Sequence, residues 1–461
     1  MRAKVHQQLP LAPVPIDHEH ARELAEMSRV LREAPGIDAV LDRVHSELRG
    51  GTRADRGRKG MSAEQAVRVL VAKQLTQSSY EKLAFLLADS STYRSFCLLG
   101  IGEGAWKTST LKENLKRIRP ETVEELNRCL LETAKTDGVE DGRKVRGDCT
   151  VVETNIHPPS DSSLLNDCVR VLTRLMNQAT EATGRLETPY SNHTRRARRR
   201  AFGIANARGE KKRKKLYRDL LCVARKAVAY AVAVVAELQR WSPPAWEVGD
   251  LLTVMGIESE LRRYVSLARR VIEQTERRVL HGERVPASEK LFSIFETHTD
   301  IIVKGGRQPE FGHKVFLSTG RSGMVLDAFV LDGNPADATL VERFLDRHEA
   351  RFGRPPRQLA LDGGFTSKEN LQRAKERGVE DAVFHKKRSL EIDDMARSAW
   401  VYRQLVRFRS GVEAGISLMK RCLGWTRCTW RGIQSFVAYV QASVAAHNLL
   451  VLARHRLARA G

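Results

Sequence analysis

Three acidic residues lie in settings that suit a metal-dependent nuclease. Asp148 lies within Lys-Val-Arg-Gly-Asp-Cys-Thr-Val-Val, Asp362 ends Gln-Leu-Ala-Leu-Asp, and Glu413 lies on a helix-like stretch. An acid in or beside a buried strand is costly unless its charge is compensated, and a divalent cation compensates it well. Two such ions about 4 Å apart can activate a nucleophile and stabilise a leaving oxygen in phosphoryl transfer. We therefore expect these three residues to be catalytic and to bind the metal.

The residues around each acid strengthen this interpretation, although a single acid is more often a solvated surface residue. Asp362 is followed by Gly-Gly, so its carboxylate emerges where the backbone can turn sharply. Loops at the carboxyl ends of strands are the usual site in open α/β sheets. Arg409, Glu413 and Lys420 fall on one broad helical face. This face is either a surface ion-pair ladder or a metal ligand beside two phosphate-binding cations.

The hydrophobic pattern predicts an α/β core that is split in the sequence by helices. A strand pattern appears around Val145–Val152, and the residues from about 160 to 288 then turn helical. Strand patterns return at 314–318, 324–331, 358–361 and 382–384, with helices at 336–349, 368–376 and from about 404 to 458. Strands that alternate with helices favour a mixed sheet flanked by helices. The helical segment 161–288 is then a long insertion into this core.

The N-terminal part of the chain predicts a short arm and a helical domain. Residues 1–60 are polar, with a helix near 19–34 and a Gly/Arg-rich stretch over 49–60, and we treat them as an arm or linker. Ser62 and Gln65 form a capping box, and Pro120 opens a further helix. We expect 61–140 to be a helical DNA-binding domain that includes a helix-turn-helix, with Trp106–Arg119 as its recognition element. The alternative is a helical bundle that makes no DNA contact.

The charge of the chain points to a polyanionic partner. Lys and Arg number 78 against 56 Asp and Glu, a formal net charge of +22. Nucleic acid is the usual partner of such a protein, although some proteins are basic for other reasons. The run 195–218 holds twelve Lys or Arg, with Glu210 as its one interior acid. We predict a phosphate-binding surface there, or else a solvated charged loop; the residues expected to bind DNA are Arg198, Arg199, Lys211, Lys212 and Lys214.

Other features exclude several classes of protein. The seven cysteines are odd in number and scattered, so neither a disulfide framework nor a zinc site is indicated. The N-terminus lacks the apolar run of a signal peptide. The apolar stretch Ala227–Leu238 is far short of the ~20 residues of a membrane span, and must be buried in a bundle or an interface. We expect a cytoplasmic protein with no membrane partner.

The motifs around the acids resemble those of the DDE transposases of bacterial insertion sequences. Asp-Gly-Gly-Phe at 362–365 matches the second-Asp motif of families that carry a Tyr-x2-Arg-x3-Glu-x6-Lys signature. Arg409, Glu413 and Lys420 match that signature, but Val406 stands at its Tyr position. The segments 291–300 and 333–337 are similar to those of the ISNCY group. The resemblance covers roughly residues 60–450.

The resemblance implies a fold, a reaction and partners. The core is expected to be ribonuclease H-like and to comprise 141–160 and 289–461, including the C-terminal helices. Asp148, Asp362 and Glu413 are expected to bind Mg²⁺ or Mn²⁺, as two ions, while Arg409 and Lys420 contact DNA. The substrate is double-stranded DNA, both the terminal inverted repeats and the target, which undergoes strand cleavage and strand transfer. The enzyme is expected to be a homodimer, cytoplasmic and associated with the nucleoid.

Two other functions remain compatible with the sequence. One is a ribonuclease H-like nuclease without strand transfer, and the other is a domesticated DNA-binding protein that keeps the scaffold. The intact acids argue against the second, because a binding protein has no need of three metal ligands. Trp425 and Trp430 are expected to pack in a core or interface, with stacking on an extruded base as the alternative. We expect His313 to cap the sheet rather than to face the site.

Overall fold

The computed structural model describes residues 4, 16–50, 60–100, 102–241, 248–303 and 308–460. Its contacts divide the chain into two compact units, of which the second is Ile156–Phe311 and the first is the remainder. Most of the Gly/Arg-rich stretch 49–60 lies outside the described residues. The predicted domain boundaries stay a prediction.

The first unit begins with helices that pack around its C-terminal helix. The N-terminal helices are α1 (Glu19–Glu33), α2 (Ile37–Arg49), α3 (Ala63–Thr76), α4 (Tyr80–Asp89), α5 (Ser91–Phe96), α6 (Thr108–Arg117) and α7 (Pro120–Thr136). The predicted capping box at Ser62 and Gln65 begins α3, and Pro120 is the first residue of α7. A second helix, α2, lies within the predicted arm, where its buried Val40, Leu41 and Val44 pack in the core.

The rest of the first unit alternates strands and helices. Its elements are β1 (Lys144–Thr154), β3 (Glu310–Thr319), β4 (Val325–Val330), α12 (Val341–Phe352), β5 (Gln358–Leu361), α13 (Lys368–Glu376), β6 (Asp381–Phe384), α14 (Ile392–Met395), α15 (Ala399–Cys422), β7 (Arg427–Cys428) and α16 (Ile433–Ala460). Short 3₁₀ turns span Asp337–Leu340 and Gly363–Phe365. The predicted strands and the helix 368–376 are therefore present.

The sheet is mixed. β4 pairs antiparallel with β3 and β3 antiparallel with β1, whereas β1, β5 and β6 run parallel. Helix α16 packs against β4, where Asn448 bonds to both backbone groups of Val325 (2.8 and 2.9 Å). A mixed sheet flanked by helices is consistent with the predicted ribonuclease H-like core.

One detail of the sequence prediction was wrong in this unit. The expected helix from 404 to 458 is broken between α15 and α16, because Gly424 adopts a positive φ of 76° against the side chains of Gln77 and Tyr439. By length and composition α16 could cross a membrane, but 83% of its most apolar window is buried inside the protein. It is therefore a core helix.

The second unit is helical. Its elements are α8 (Asp161–Thr183), α9 (Thr194–Ala205), α10 (Glu210–Leu238), α11 (Val248–Thr275), a π-helical turn (Glu276–Leu280), a 3₁₀ turn (Ala287–Glu289) and the short strand β2 (Asp300–Ile302). Helices α8, α10 and α11 pack against one another, and α9 packs against α8 and α10. Ala227, Ala231 and Val234 of α10 lie in this core. One face of the apolar stretch Ala227–Leu238 is therefore buried within the unit, whereas Ala229, Val232, Ala233 and Ala236 are exposed.

Candidate active site

The strand register brings the first two acids together. Gly147 of β1 pairs with Leu361 of β5, so Asp148 and Asp362 each follow directly after the same paired position. Neighbouring strands lie about 4.8 Å apart, which places the two carboxylates side by side. Position 147 has little room for a side chain, because a Cβ there would lie 2.9 Å from Phe316 Cζ and 3.0 Å from Leu361 Cδ2.

An arginine on β1 fixes α15, which carries the third acid. Arg146 donates to the carbonyl oxygen of Phe408 and to Thr319 Oγ1, both at 2.9 Å, and lies 4.6 Å from the centre of the Phe408 ring. The guanidinium occupies the space next to Gly411, where a Cβ would overlap it. The small residue at 411 thus lets α15 lie close to β1. This contact fixes the position of α15 relative to β1, and therefore the position of Glu413 in the following turn of the helix.

Arg409 bridges all three acids. Its Nη2 lies 2.8 Å from Asp148 Oδ2 and 3.1 Å from Asp362 Oδ1, and its Nη1 lies 2.9 Å from Glu413 Oε1. The backbone N–H of Cys149 donates to the other oxygen of Asp148 at 2.7 Å. One cationic group therefore pairs with carboxylates from β1, the end of β5 and α15, and offsets only part of their charge. The convergence of the three acids expected from the sequence is observed.

The site opens to solvent on the side of Glu413. The side chain of Arg409 is 10% exposed and that of Asp148 is 17%, whereas Asp362 is 37% and Glu413 is 67% exposed. Asp148 and Arg409 thus form the floor of the cluster. A substrate reaches Asp362 and Glu413 first.

The donor atoms suit a hard divalent cation. Within the described ranges, no group of three or more His, Cys, Asp or Glu side chains has the spacing of a ready metal site. At this cluster the Arg409 guanidinium takes the central position among the carboxylates. Carboxylate oxygens are the ligands that Mg²⁺ prefers, and three of them already converge on one positive charge. The three carboxylates therefore fit a divalent ion that displaces the Arg409 guanidinium or binds beside it.

Comparison with known protein families gives two matches. Residues 297–449 match the Transposase DDE domain, and residues 17–117 match the Transposase domain (DUF772). The chain belongs to the DDE transposases. It acts in DNA transposition as a metal-dependent enzyme that cleaves DNA strands, which sets aside the non-enzymatic interpretation. Comparisons with curated proteins and with solved structures found no match.

The family match includes two of the three acids of the transposase. Asp362 and Glu413 lie within 297–449, whereas Asp148 precedes the second unit and lies outside the match. Asp148 is therefore connected to the others by the strand register and by Arg409. The catalytic roles of the three acids stay a prediction.

An ion pair between the buried Lys314 and the half-buried Asp337 lies next to the Gly-Gly turn of the transposase. Lys314 Nζ lies 2.6 Å from Asp337 Oδ1 and 2.6 Å from the carbonyl oxygen of Pro335. A Cβ at Gly364 would lie 2.6 Å from Asp337 Oδ2, so this glycine makes room for the acid. Burial and the nearby Asp337 raise the pKa of the Cys149 thiol. The sequence analysis missed Asp337, and the only signal for it was its place in the segment 333–337.

The other cations that the sequence analysis expected to bind DNA lie on three different helices. Lys420 is half-buried, two turns beyond Glu413 on α15. Arg198 and Arg199 are exposed on α9, as are Lys211 and Lys212 on α10. Lys214 is half-buried and pairs with Glu210 at 2.8 Å. The basic run is therefore helical, and its DNA contacts stay a prediction.

The aromatic residues near the site pack inside the protein. Trp425 is fully buried, and Trp430 lies edge-on to Tyr439 with ring centres 5.6 Å apart. His313 is buried edge-on against Phe436 at 4.9 Å. Trp425 therefore packs in the core, as expected, while Trp430 is half-buried against the same core and its expected packing role stays a prediction. Packing, rather than the active site, also accounts for His313.

Proposed function

We propose that Asp148, Asp362 and Glu413 hold the divalent ions of the transposase, as Mg²⁺ or Mn²⁺ and as two ions. The observation that carries the proposal is the convergence of the three carboxylates on the Arg409 guanidinium. Three anions share this place at the carboxyl end of β5, so they attract a cation there. When bound, such ions activate the attacking hydroxyl and neutralise the leaving oxygen.

The residues of the chain prepare the site for that chemistry. The Cys149 backbone N–H fixes one oxygen of Asp148, so the other points towards Asp362 and Glu413. Arg409 offsets part of the negative charge of the cluster and keeps the carboxylates close before DNA arrives. If a divalent ion replaces the Arg409 guanidinium among the carboxylates, the guanidinium is free to pair with a DNA phosphate. Its planar N–H donors suit the phosphate oxygens. Lys420 contributes a second cation two turns further along α15.

We propose that the DNA consists of the terminal inverted repeats of an insertion sequence of the ISNCY type, followed by target DNA. The exposed cations of α9 and α10 supply affinity that does not depend on sequence. The helical segment 61–140 reads the repeats, supported by the match of residues 17–117 to a transposase domain. The ribonuclease H-like core comprises 141–160 and 289–461, and 161–288 is an insertion. The protein acts in the cytoplasm, at the nucleoid.

We propose further that the working form is a homodimer. Coordinated cutting of two element ends requires two active sites, one for each end. The apolar stretch Ala227–Leu238 adds little support, because the second unit buries one face of it and leaves only small residues and Val232 exposed on the other. Light scattering with and without terminal-repeat DNA tests the dimer. A strictly monomeric complex that still cuts both ends would refute it.

The test of the function uses the inverted repeats that flank the gene. Duplexes that carry these repeats are incubated with the protein and Mg²⁺ or Mn²⁺, and pre-cut ends are incubated with a target plasmid. We expect nicking at the repeat end and covalent joining of the pre-cut end to the plasmid. Nicking without joining would identify a nuclease that lacks strand transfer. Joining that survives loss of any one of the three acids would contradict the proposed metal ligands.

A further inference from the structure

A basic loop leaves the sheet directly beside Asp362. Leu361 of β5 pairs with Phe384 of β6. Asp362 and His385 each follow one member of this pair, so they leave the sheet side by side. The His385 backbone N–H donates to the carbonyl oxygen of Leu361 at 3.0 Å. The next residues, Lys386, Lys387 and Arg388, are all exposed. The parallel register therefore sets three cations next to the second catalytic acid.

The first of these cations lies across the backbone of the catalytic turn. A Cβ added at Gly363 would lie 2.8 Å from Lys386 Cβ, 2.8 Å from its Cγ and 3.0 Å from its Cδ. The aliphatic part of Lys386 thus fills the space that a side chain at 363 would take. Thr366 Oγ1 donates to the Lys386 carbonyl oxygen at 2.8 Å and holds the loop in place. Lys386 is exposed and lies against the residue that directly follows Asp362.

The loop is held in a defined shape while its charges stay uncompensated. Lys387 Nζ lies 5.9 Å from the centre of the Tyr402 ring on α15, and its carbonyl oxygen accepts from Leu390. Arg388 and Ser389 adopt positive φ values of 44° and 70°, which L-residues rarely adopt. Across the described part of the chain, none of the side chains from His385 to Arg388 forms an ion pair with a carboxylate. Arg409, in contrast, is paired with a carboxylate.

We propose that His385–Arg388 is a phosphate clamp that holds the DNA strand in the active site, with Lys386 contacting the phosphate next to the bond that is cut. The proposal rests on the function proposed above. A strained loop is retained where the surrounding structure over-determines it, and such sites are often ligand clamps. Three exposed cations beside a cluster of acids attract a polyanion that the acids alone would repel. Lys386 is a positioning residue, because it orients the strand relative to Asp362.

The test compares Lys386→Met, Lys386→Arg and Gly363→Ala with the wild type. Methionine keeps the aliphatic packing on Gly363 and removes the charge, whereas arginine keeps the charge. Arg357→Met is the control, because Arg357 is an exposed cation at the opposite end of β5 from Asp362, where it pairs with Glu380 at 2.8 Å. The probe is a duplex that carries the inverted repeat flanking the gene, and unfolding temperatures are measured for every variant.

We expect kcat/KM for nicking to fall roughly 10- to 100-fold in Lys386→Met, as for loss of a charged hydrogen bond, and to recover in Lys386→Arg. In metal-free buffer, the slope of log K against log salt should shrink by about one unit in Lys386→Met. Gly363→Ala keeps the charge but displaces the lysine, so nicking should fall while the salt slope is kept. Arg357→Met should behave as the wild type.

Nicking and a salt slope equal to the wild type in Lys386→Met would overturn the clamp and leave the transposase function intact. An equal loss in Lys386→Arg and Lys386→Met would also overturn it, because it would indicate packing rather than charge. A wild type that never nicks the repeat would instead contradict the proposed function. The binding slope would then still test the clamp.

Discussion

The two units of the transposase use cations in opposite ways. In the first unit, Arg409 is 10% exposed and lies among three carboxylates from three elements. In the second unit, α9 and α10 carry exposed cations, and the described acids compensate only some of them. Arg196 and Arg200 pair with Asp219, and Lys214 pairs with Glu210. Arg198, Arg199 and Lys211 lie exposed on the same helices.

The difference separates chemistry from affinity. The carboxylate cluster depends on geometry: the Gly147–Leu361 pair aligns two acids, and Arg146 positions α15 for the third. A shift of one residue in the register would turn Asp148 to the other face of the sheet. The basic helices depend on charge, and a cation moved by one position still attracts phosphate. A single mutation in the carboxylate cluster of the first unit should therefore strongly lower activity. Each cation lost from the second unit should lower DNA affinity by only a small step.

The largest effect is expected from Asp362→Asn. Loss of one metal ligand should lower the nicking rate about 10³-fold or more, since bound metal supplies several kcal/mol of transition-state stabilisation. DNA binding in a gel-shift assay should stay within a few-fold of the wild type, because the basic surfaces are unchanged. The control is Asp332→Asn at an exposed position after β4. A parallel loss of binding and nicking would break the division between the two units.

Acid should weaken the first unit through a buried histidine. Burial lowers the pKa of His348 on α12 from 6.5 to about 4. The folded pKa lies below the unfolded one, so this contribution is present above pH 6.5 and is lost as the pH falls towards 4. The free energy of unfolding should drop by about 2 kcal/mol between pH 7.5 and 5 from this residue alone.

Denaturant unfolding, followed through tryptophan fluorescence to which the buried Trp425 contributes, measures this effect. His348→Gln should unfold with a correspondingly smaller dependence on pH over that range. His157 of the second unit differs: its pKa is raised, burial opposing the effect of its hydrogen bond to Asp167. Its contribution is thus present at low pH and is lost as the pH rises. Equal acid sensitivity in the wild type and His348→Gln would remove His348 from the explanation.

Arg409→Gln should reveal the repulsion among the three acids. Removing the shared cation leaves the carboxylates close together, and breaking a buried ion pair is strongly destabilising. Asp362 and Glu413 are partly solvated, so we expect a loss of only about 1–3 kcal/mol without metal. Mn²⁺ should restore more stability to this variant than to the wild type. Thermal unfolding with and without Mn²⁺ measures both effects, and equal stabilisation by Mn²⁺ would contradict the shared position.

The sequence predicted the parts of the site that have a local signature. Asp148, Asp362 and Glu413 could be chosen because a strand pattern, a Gly-Gly turn and a helical spacing surround them. The positions of Arg146 and Lys386 could not, because both depend on contacts across the sheet. Arg146 touches Phe408, and Lys386 lies against Gly363, more than twenty positions away in each case. Their own neighbours in sequence give no signal of either contact.

The fold was predictable to a similar extent. Short apolar runs predicted the strands β3 to β6. Ser62 and Pro120 predicted where two of the helices begin. The break between α15 and α16 was missed, because Gly424 meets Gln77 and Tyr439 only in the folded chain. The role of Arg409 was also incomplete in the sequence analysis. Helical spacing placed it near Glu413, but only the sheet register brings it to Asp148 and Asp362.

The smallest effect is expected in the second unit, from neutralising its exposed lysines. Lys214 already pairs with Glu210, and Arg213 donates to the carbonyl oxygen of Ala207 at 3.3 Å. Changing Lys211, Lys212 and Lys215 to Gln should therefore shrink the slope of log K against log salt by about 2–3 units. Nicking at saturating DNA should change little. The control, Arg196→Gln, removes a cation that is paired with Asp219, so it should change the slope less. A triple variant with an unchanged slope would mean that these helices carry charge without binding DNA, and the contrast between the units would then lie elsewhere.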